Sequence, residues 1–455
     1  MKERKAEGSN TIEVFNTSSW SRNNWVTIAA DPKWNSAVDQ TGKPVPSQRL
    51  ADGTLAFKAS VPAIGSAIFT LSEKPNQAPA PKLDVRKINE KASMTAISDV
   101  PPGMKSSIGG CSINGNNSIA AMEVKGVGDI VNQDDGEGNR GLNDFLLIIG
   151  RNPEENRDRS CANIESITED SGPYILTSVY TSTAPNCEKL TRIYRSFLDE
   201  DYIEITNILE KKMDRRQEGM YFGFPFALEN GKWHYDIPWV TPEVEKDQLP
   251  GANRHYYTIQ RFCNYANDKA SIDWLSLDAP LVQFAPIRTV VDHTNMDTEW
   301  REHIEPNGTI YSWICNNHWE TNYKAGQEGT LTFRYVIRPK AGPFDRVDSQ
   351  KFARDMFQPL IAIPVAKETK PLGNPTGGML SDSPIVVTSV KPIRFGGKGM
   401  VVRLHNTSNQ PASVSGFSRS RAKLSLTDTV DNIIGPIGDS LDFAPFEIKT
   451  MRIDW

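Results

Sequence analysis

The sequence predicts an all-β protein: a large two-sheet supersandwich of the galactose mutarotase kind, flanked by two small β-sandwich domains. Runs in which apolar and polar residues alternate recur along most of the 455 residues, whereas one segment is typical of a helix. The chain also contains 30 prolines and 32 glycines, which divide these runs into the short strands of a sandwich. A chain of this length exceeds one hydrophobic core, so several domains are expected.

The first block, residues 10–72, is predicted to form a small β unit that begins with the run at 12–16 and ends with the run at 67–71. Residues 73–89 contain a proline-rich stretch and are predicted to be an extended connector. Residues 90–340 carry many strand-like runs, enough for one large supersandwich, and no repeat of fixed period that would indicate a propeller.

The clearest strand of the large block alternates apolar and polar residues. Leu331, Phe333, Tyr335 and Ile337 are separated by Thr332, Arg334, Val336 and Arg338. Because successive side chains of a strand point to opposite faces, this pattern predicts a sheet with one face toward the core and one polar face.

Residues 341–381 are predicted to be a second connector with a short helix at 348–358. We expect Asp348 to cap its N-terminus, Phe352 and Met356 to share one face, and Pro359 to end it. Residues 382–455 again contain short strand-like runs and are predicted to form a C-terminal β-sandwich.

Charge and hydropathy exclude several classes of function. The net charge of −5 is spread along the chain without a basic stripe, so nucleic acid is not an expected partner. No window approaches the roughly 18 consecutive apolar residues of a membrane span. Residues 1–8 lack the apolar core of a secretion signal, so we expect the chain as it stands to be cytoplasmic, with its true compartment left open.

Neither the cysteines nor the histidines have the spacing of a metal site, and no metal is expected in this chain. The cysteines are interpreted as buried or free thiols, although a Cys161–Cys187 bridge is an alternative in an exported protein.

Five acidic residues surround His293 and His303 in the sequence: Asp292, Asp297, Glu299, Glu302 and Glu305. We favour a solvated acidic loop over a catalytic carboxylate pair, because nothing in the sequence fixes their geometry.

Residues 311–325 form the most distinctive segment, Tyr-Ser-Trp-Ile-Cys-Asn-Asn-His-Trp-Glu-Thr-Asn-Tyr-Lys-Ala, and Phe-Arg-Tyr follows at 333–335. This segment resembles the Asn-Asn-x-Trp-x-Thr-Asn-Tyr signature in the C-terminal region of glycoside hydrolase family 38, the α-mannosidases. Five further segments resemble that region in the same order and extend the resemblance over nearly the whole chain. These segments are residues 14–22, 221–226, 247–251, 278–282 and 444–450.

The resemblance implies the same three β-domains and a role in supporting and shaping a glycan cleft. In that family the zinc ligands and the aspartate nucleophile lie in an N-terminal catalytic domain, and the zinc motif His-x-Asp lies near the start of that domain. This chain starts instead at the first β unit and has no βαβ alternation. We therefore expect the chain alone to be inactive, with zinc bound only by a catalytic domain in cis or in trans. The alternative is a free-standing carbohydrate-binding protein without hydrolase activity.

The signature segment also supplies the candidate contacts to a mannose-containing glycan. Aromatic faces stack on sugar rings while amide and imidazole groups bind hydroxyls. These candidates are Trp313, Asn317, His318, Asn322 and Tyr323. The competing interpretation is that large aromatic residues fill the sandwich core. It is favoured for a second aromatic group, which consists of Trp233, His234, Tyr235, Trp239, His255, Tyr256 and Tyr257.

His318 and Glu320 are the weak candidates for catalysis. Residues two apart on a strand share a face, so this pair could act as the acid and base of an anomer interconversion, as in mutarotase-like sandwiches. A structural corner, with Asn316 and Asn317 making turn hydrogen bonds, is the favoured interpretation. No catalytic residue is therefore assigned.

The two interpretations of the signature segment separate at Trp319. In a structural corner Trp319 is buried, and Trp319→Ala should lower the free energy of unfolding by about 3–5 kcal/mol. Thermal unfolding would then show a fall of several degrees in the midpoint. A variant that melts like the parent but binds glycan less tightly would identify the segment as a sugar platform.

Overall fold

The computed structural model describes residues 4–75, 82–89, 92–98, 106–150, 156–162, 168–287, 301–317, 324–372, 383–394, 397–415 and 422–454. These residues form many strands and one helix, which confirms the predicted all-β sandwich class. The chain divides into a split unit, Met1–Gln77 with Asp345–Trp455, and a central unit, Ala78–Phe344. The described helix is not long and apolar enough to cross a membrane.

The split unit begins with a small sandwich. Its first strands are β1 (Thr11–Asn16), β2 (Arg22–Ala29), β3 (Ser36–Asp39), β4 (Pro44–Val45), β5 (Ser47–Arg49), β6 (Thr54–Val61) and β7 (Gly65–Ser72). β2, β6 and β5 form one sheet, and β1, β7, β3 and β4 belong to the other. The apolar residues of both sheets, among them Val14, Phe57 and Phe69, pack into one buried core.

The central unit contains nineteen strands among its described residues. The first nine are β8 (Lys82–Asn89), β9 (Ala92–Ser98), β10 (Ile108–Ile113), β11 (Ile119–Val124), β12 (Gly128–Asp129), β13 (Asp144–Ile149), β14 (Arg157–Asp158), β15 (Thr168–Ser171) and β16 (Ile175–Ala184). The other ten are β17 (Cys187–Phe197), β18 (Ile203–Lys211), β19 (Glu218–Pro225), β20 (Lys232–Tyr235), β21 (Tyr257–Thr258), β22 (Phe262–Ala266), β23 (Ala270–Ser276), β24 (Leu281–Phe284), β25 (Thr309–Asn317) and β26 (Gly329–Ala341).

These strands form three antiparallel sheets. A five-stranded sheet has the order β12-β11-β10-β9-β8, a six-stranded sheet the order β14-β13-β19-β25-β24-β21, and an eight-stranded sheet the order β15-β16-β17-β18-β26-β23-β22-β20. The prediction of an extended connector through residue 89 is wrong for residues 82–89. They form β8, which pairs with β9 from Lys82 opposite Ser98 to Asn89 opposite Ala92.

The six-stranded and eight-stranded sheets pack face to face around the largest core of the chain. Phe222 and Phe224 of β19 meet Trp274 of β23 and Tyr335 of β26 in this core. In β26 the predicted alternation is confirmed in part: Tyr335 and Ile337 are buried and Thr332 and Arg334 are exposed, but Val336, predicted on the polar face, is buried. The outer face is therefore polar along the first half of β26, whereas Val336 and its partner Leu275 are buried on that face.

A buried ion pair closes one end of this sandwich, where the chain passes from β18 in one sheet to β19 in the other. Lys211 Nζ lies 2.6 Å from Glu218 Oε1, and both side chains are fully buried. Asn186 Nδ2 donates a hydrogen bond to the other carboxylate oxygen at 2.5 Å, and Lys211 Nζ donates to the carbonyl of Lys212 at 3.1 Å. Each charge thus has the partners without which burial would be costly.

The chain then re-enters the split unit through helix α1 (Arg346–Phe357) and strand β27 (Ile361–Val365). The prediction that Asp348 caps the helix is wrong. The Asp345 side chain accepts the backbone N–H groups of Val347 and Asp348, which places Asp348 in the first turn. The connector predicted over 341–381 is also corrected in part, because β27 pairs with β1 and extends the first sandwich.

The remaining strands form a second sandwich in the split unit. They are β28 (Ile385–Pro392), β29 (Gly399–Asn406), β30 (Ala412–Ser415), β31 (Lys423–Thr427), β32 (Ile433–Pro436), β33 (Ser440–Phe443) and β34 (Ile448–Asp454). A sheet of order β28-β29-β34-β31-β32 packs its apolar side, with Leu404 and Met451, on the β30-β33 pair, with Val414 and Phe443.

The ion pair between Lys211 and Glu218 gives a test of the sandwich. Lys211→Met leaves a buried carboxylate without its cation and should lower the free energy of unfolding in denaturant by about 3–5 kcal/mol. Because Lys211→Met with Glu218→Leu removes both charges, the double variant should recover most of that loss. Lys324→Met, which breaks the exposed pair with Glu328, is the control and should cost less than about 1 kcal/mol. A Lys211→Met variant as stable as the parent would contradict this role.

Candidate functional site

The outer face of the six-stranded sheet, opposite the main core, is the candidate functional site. It carries its own buried apolar cluster, which includes Leu146, Ile148, Tyr221, Tyr311 and Trp313. Side chains alternate between the two faces along β19 and β25: Phe222 and Ile310 point into the main core, while Tyr221 and Tyr311 point outward. This sheet is therefore covered on both faces, and loops rather than another sheet provide the cover on the outer one.

Four aromatic rings form a row on this face, which we call the aromatic row: Tyr311, Tyr221, Trp313 and Tyr256. Tyr221 stacks on Trp313 at a centroid distance of 5.6 Å and meets Tyr311 edge-on at 6.1 Å. Tyr256 is at the end of the row opposite Tyr311 and meets Trp313 edge-on at a centroid distance of 5.7 Å. Tyr256 is 46% exposed and Trp313 is 7% exposed. The row thus leads from the surface into the protein.

Glycines on either side of Tyr221 make room for the row. Gly219 and Gly223 lie two residues before and after Tyr221 and therefore share its face. A Cβ at Gly219 would lie 2.7 Å from the Tyr221 hydroxyl, and one at Gly223 would lie 2.3 Å from Asn139 Oδ1. The glycine in the Tyr-Phe-Gly-Phe-Pro-Phe run at 221–226 is needed because a loop side chain packs directly on the strand there.

A buried polar network borders the Tyr311 end of the row. Asn139 Nδ2 donates to Asp135 Oδ2 and to the Tyr311 hydroxyl, both at 2.6 Å. Arg159 donates through Nη1 to Asn139 Oδ1 at 2.7 Å and to Asp144 Oδ2 at 3.3 Å, and through Nη2 to the Tyr311 hydroxyl at 3.2 Å. Burial raises the pKa of Tyr311, so this hydroxyl remains protonated.

The carboxylates of this network are already engaged by protein donors. Asp135 also accepts the Thr309 hydroxyl at 3.0 Å, and Asp144 accepts Asn116 Nδ2 at 2.5 Å. Neither carboxylate is arranged like the paired acids of a glycosidase, which must face a substrate. The network therefore holds the covering loops in place.

An ion pair and a buried hydroxyl are further polar features of this face. Arg157 Nη1 and Glu137 Oε2 form an ion pair at 2.9 Å, and the Arg157 side chain is 21% exposed. The Tyr221 hydroxyl is buried and has no hydrogen-bond partner among the described residues. Burial raises the pKa of Tyr221 well above its usual value, so it stays a neutral donor.

The structure places two of the five predicted glycan contacts, and both are buried. The Trp313 indole N–H donates to the carbonyl of Cys315 at 2.9 Å. Asn317 Nδ2 donates to the carbonyls of Asp214 and Arg216, at 3.3 and 2.9 Å, and so fixes the loop between β18 and β19. Trp313 belongs to the aromatic row, whereas Asn317 has a structural contact.

The other candidates of the signature segment, His318, Glu320, Asn322 and Tyr323, lie outside the described residues, as does Trp319. Their roles stay predictions. Asn316, expected to make backbone hydrogen bonds, lies at an exposed position of β25.

The second aromatic group divides between core and surface. Trp233 is buried, stacks on Tyr265 at 4.7 Å and donates its indole N–H to the carbonyl of Asn307 at 2.7 Å. Tyr235, His255 and Tyr257 are also buried, and His234 is half-buried; Trp239 and Tyr256 are exposed. Sequence patterns did not reveal that Tyr256 joins Trp313, because 57 positions separate the two residues.

Neither the predicted acidic loop nor the cysteines form a functional site among the described residues. Glu302 and Glu305 are exposed, His303 Nδ1 lies 3.2 Å from Glu245 Oε2, and residues 288–300 are outside the description. All five cysteines are free, so Cys161 and Cys187 form no bridge. Within the described part of the chain, no three His, Cys, Asp or Glu side chains are grouped to hold a metal ion.

No family model matches the sequence, and no curated protein matches it. Among solved structures, an α-mannosidase from Enterococcus faecalis V583 aligns with 100% of this chain and 57% of its own, with a TM-score of 0.65 and 14% identity. A glycosyl hydrolase family 38 protein from Enterococcus faecalis aligns with 99% of this chain and 58% of its own, with a TM-score of 0.64 and 14% identity. A galactose 1-epimerase from Lactobacillus acidophilus NCFM aligns with 57% of this chain at a TM-score of 0.35, too low to support an inference.

The chain therefore has the fold of part of an α-mannosidase of family 38. It spans less than three fifths of the length of these two solved structures. At 14% identity, the similarity establishes the fold and not the activity.

The two ends of the aromatic row should respond differently to truncation. Trp313→Ala removes a buried ring that packs on Tyr221, and it should lower the free energy of unfolding by about 3–5 kcal/mol. Tyr256→Ala removes a half-exposed ring and should change that free energy by no more than about 0.5 kcal/mol. Denaturant unfolding of both variants measures the difference. Equal losses would show that Tyr256 is part of the packing and not a free surface.

Proposed function

We propose that this chain is the C-terminal β-domain portion of an α-mannosidase-like glycoside hydrolase and that it supports and shapes a glycan cleft. The observation that carries the proposal is the similarity in fold, over the whole chain, to part of an α-mannosidase. The order of the family-like segments in the sequence supports the same assignment independently of the fold.

In this proposal the catalytic zinc and the nucleophile belong to a catalytic domain supplied in cis or in trans. The sequence His234-Tyr235-Asp236 has the form His-x-Asp, but its acid group is engaged elsewhere: Asp236 Oδ2 accepts a hydrogen bond from Arg261 Nε at 2.7 Å. His234 stacks on Phe344 at 4.4 Å. These residues therefore do not fit a zinc site, and no reaction step is assigned to them.

The partner in this proposal is a mannose-containing glycan at the exposed end of the aromatic row. The Tyr256 ring offers an aromatic face for the apolar side of a sugar, and the half-buried pair of Arg157 and Glu137 lies on the same sheet face for hydroxyl groups. Trp313 supports Tyr256 from behind. His318, Asn322 and Tyr323 remain proposed contacts.

Activity and the native gene product test the assignment together. The purified chain should not hydrolyse an aryl α-mannoside, with or without added Zn²⁺. The native protein, isolated from its source and identified by mass spectrometry, should carry or bind a catalytic domain with a His-x-Asp motif. Hydrolysis by the 455-residue chain alone would contradict the proposal. A native product that occurs alone and binds mannosides without hydrolysis would instead identify a free-standing carbohydrate-binding protein, which the exposed Tyr256 ring would also suit.

Calorimetric titration with mannose oligosaccharides tests the binding surface. Tyr256→Ala should weaken binding about tenfold, or about 1.4 kcal/mol, because the stacking face is lost. Tyr256→Phe keeps the ring and removes only the hydroxyl, so it should bind like the parent. If both variants bind like the parent, the glycan does not use the aromatic row.

A further inference from the structure

Arg192, in β17, is a buried cation without a visible counter-ion. Its side chain is fully buried, and none of its three guanidinium nitrogens has an oxygen or nitrogen as a hydrogen-bond partner among the described residues, although the Cys161 thiol lies within hydrogen-bonding reach. The ion pairs of those residues include no contact to Arg192. An arginine keeps its positive charge at all physiological pH values. Leaving that charge in a protein interior without a partner is strongly unfavourable.

Three other buried cations of the central unit have carboxylate partners. Lys211 pairs with Glu218 at 2.6 Å, Arg254 with Glu245 at 2.6 Å, and Arg261 with Asp236 at 2.7 Å. Arg192 departs from this pattern, so its charge requires another source of compensation.

The strand register places uncharged groups around Arg192 on the inner face of the eight-stranded sheet. Tyr180 of β16 and Asn207 of β18 lie directly opposite it. The Asn207 amide is engaged by Asn143 in two reciprocal hydrogen bonds of 2.9 and 2.8 Å. Tyr180 contributes a phenol, so neither neighbour on the sheet supplies a negative charge.

Ser182 adds a second unpartnered group on the same face. It lies opposite Leu190, which puts it diagonal to Arg192 and within reach of a long side chain. Ser182 is fully buried, and its hydroxyl has no hydrogen-bond partner among the residues that the structure describes. A guanidinium fork and a hydroxyl on one face form a donor set that suits an oxyanion.

The ionisable groups Cys161 and Asp144 do not neutralise Arg192. Burial raises the pKa of the Cys161 thiol, and the charge of Arg192 together with its contact to the thiol opposes that shift only in part. Cys161 therefore remains a neutral thiol. Asp144, whose charge also acts on the pKa of Cys161, accepts hydrogen bonds from Asn116 and Arg159.

We infer that Arg192 and Ser182 form an interior binding site for one small oxyanion, such as phosphate, sulfate or a short carboxylate. The guanidinium binds two oxygens of the anion. The Ser182 hydroxyl donates a hydrogen bond either to a third oxygen or to one of those two. The site lies on the inner face of the eight-stranded sheet, apart from the aromatic row, and does not depend on the proposed glycan function. Its occupant stabilises the folded central unit.

Thermal unfolding of the whole chain tests this site with sodium phosphate, sodium sulfate or sodium acetate, each titrated at constant ionic strength against NaCl. The preferred anion should raise the midpoint by several degrees in a saturable way. Comparison of the three salts separates a tetrahedral oxyanion from a carboxylate. Sulfate and phosphate also stabilise proteins without binding, so the variant sets the baseline.

Arg192→Met should lose the saturable rise and keep only the general salt effect. Without oxyanion it should melt at or above the parent, because an uncompensated buried charge has been removed. Arg195→Met is the matched control: Arg195 lies on the same strand, pairs with Glu204 at 3.8 Å on the opposite face and should leave the response intact. Ser182→Ala, a milder change, should shift the titration to roughly tenfold higher anion concentration.

A second measurement does not depend on the stability of the variants. Ion chromatography of acid-denatured parent protein, dialysed after incubation with the preferred anion, should release about one equivalent per chain, and the Arg195→Met control should match it. A parent protein that releases no anion and shows the same salt response as Arg192→Met would overturn the inference.

Discussion

Burial of the six-stranded sheet on both faces is the constraint that organises the central unit. One face packs Phe222 and Phe224 against the eight-stranded sheet. The other face carries Tyr221, Tyr311 and Trp313 and would expose a large apolar surface if it were left open. Covering loops solve this problem, but loops bring unpaired backbone and polar side chains. The candidate site exists because aromatic strands and polar loops must meet on that face.

The polar groups at this meeting point mostly serve the fold. Asp135, Asp144 and Asn139 are engaged in hydrogen bonds within the protein, and Asn317 fixes the loop that joins the two sheets. A polar residue beside aromatic rings is therefore weak evidence of a ligand, since covering a sheet with loops requires the same composition. What distinguishes Tyr256 is its exposed ring, and exposure follows from the tertiary structure rather than from residue type.

Local patterns in the sequence were sufficient for the class of fold, and remote pairings were not visible in it. The alternation in the first half of β26 was predictable because it depends only on whether each side chain is apolar or polar, whereas the burial of Val336 depends on what covers the other face of the sheet. β27 was missed because its partner β1 lies about 350 positions earlier, and residues 361–365 alone do not indicate which strand they pair with. The helix was found, but its cap was displaced by three residues, from Asp348 to Asp345, because both are aspartates before the same apolar face. Asn317 illustrates the limit for sites, since its partners lie about 100 positions away.

Fold similarity at 14% identity indicates which features a β-assembly of this kind must keep. Packing of alternating apolar residues tolerates extensive substitution, provided that volume and pattern are maintained. A buried charge tolerates much less, because each one needs a specific partner at short range. The pairs at Lys211 and Arg261 meet that requirement with carboxylates of the same unit. A residue that breaks a rule obeyed elsewhere in the same core points to something the core alone does not provide. For Arg192 the missing element is negative charge, which the proposed oxyanion supplies.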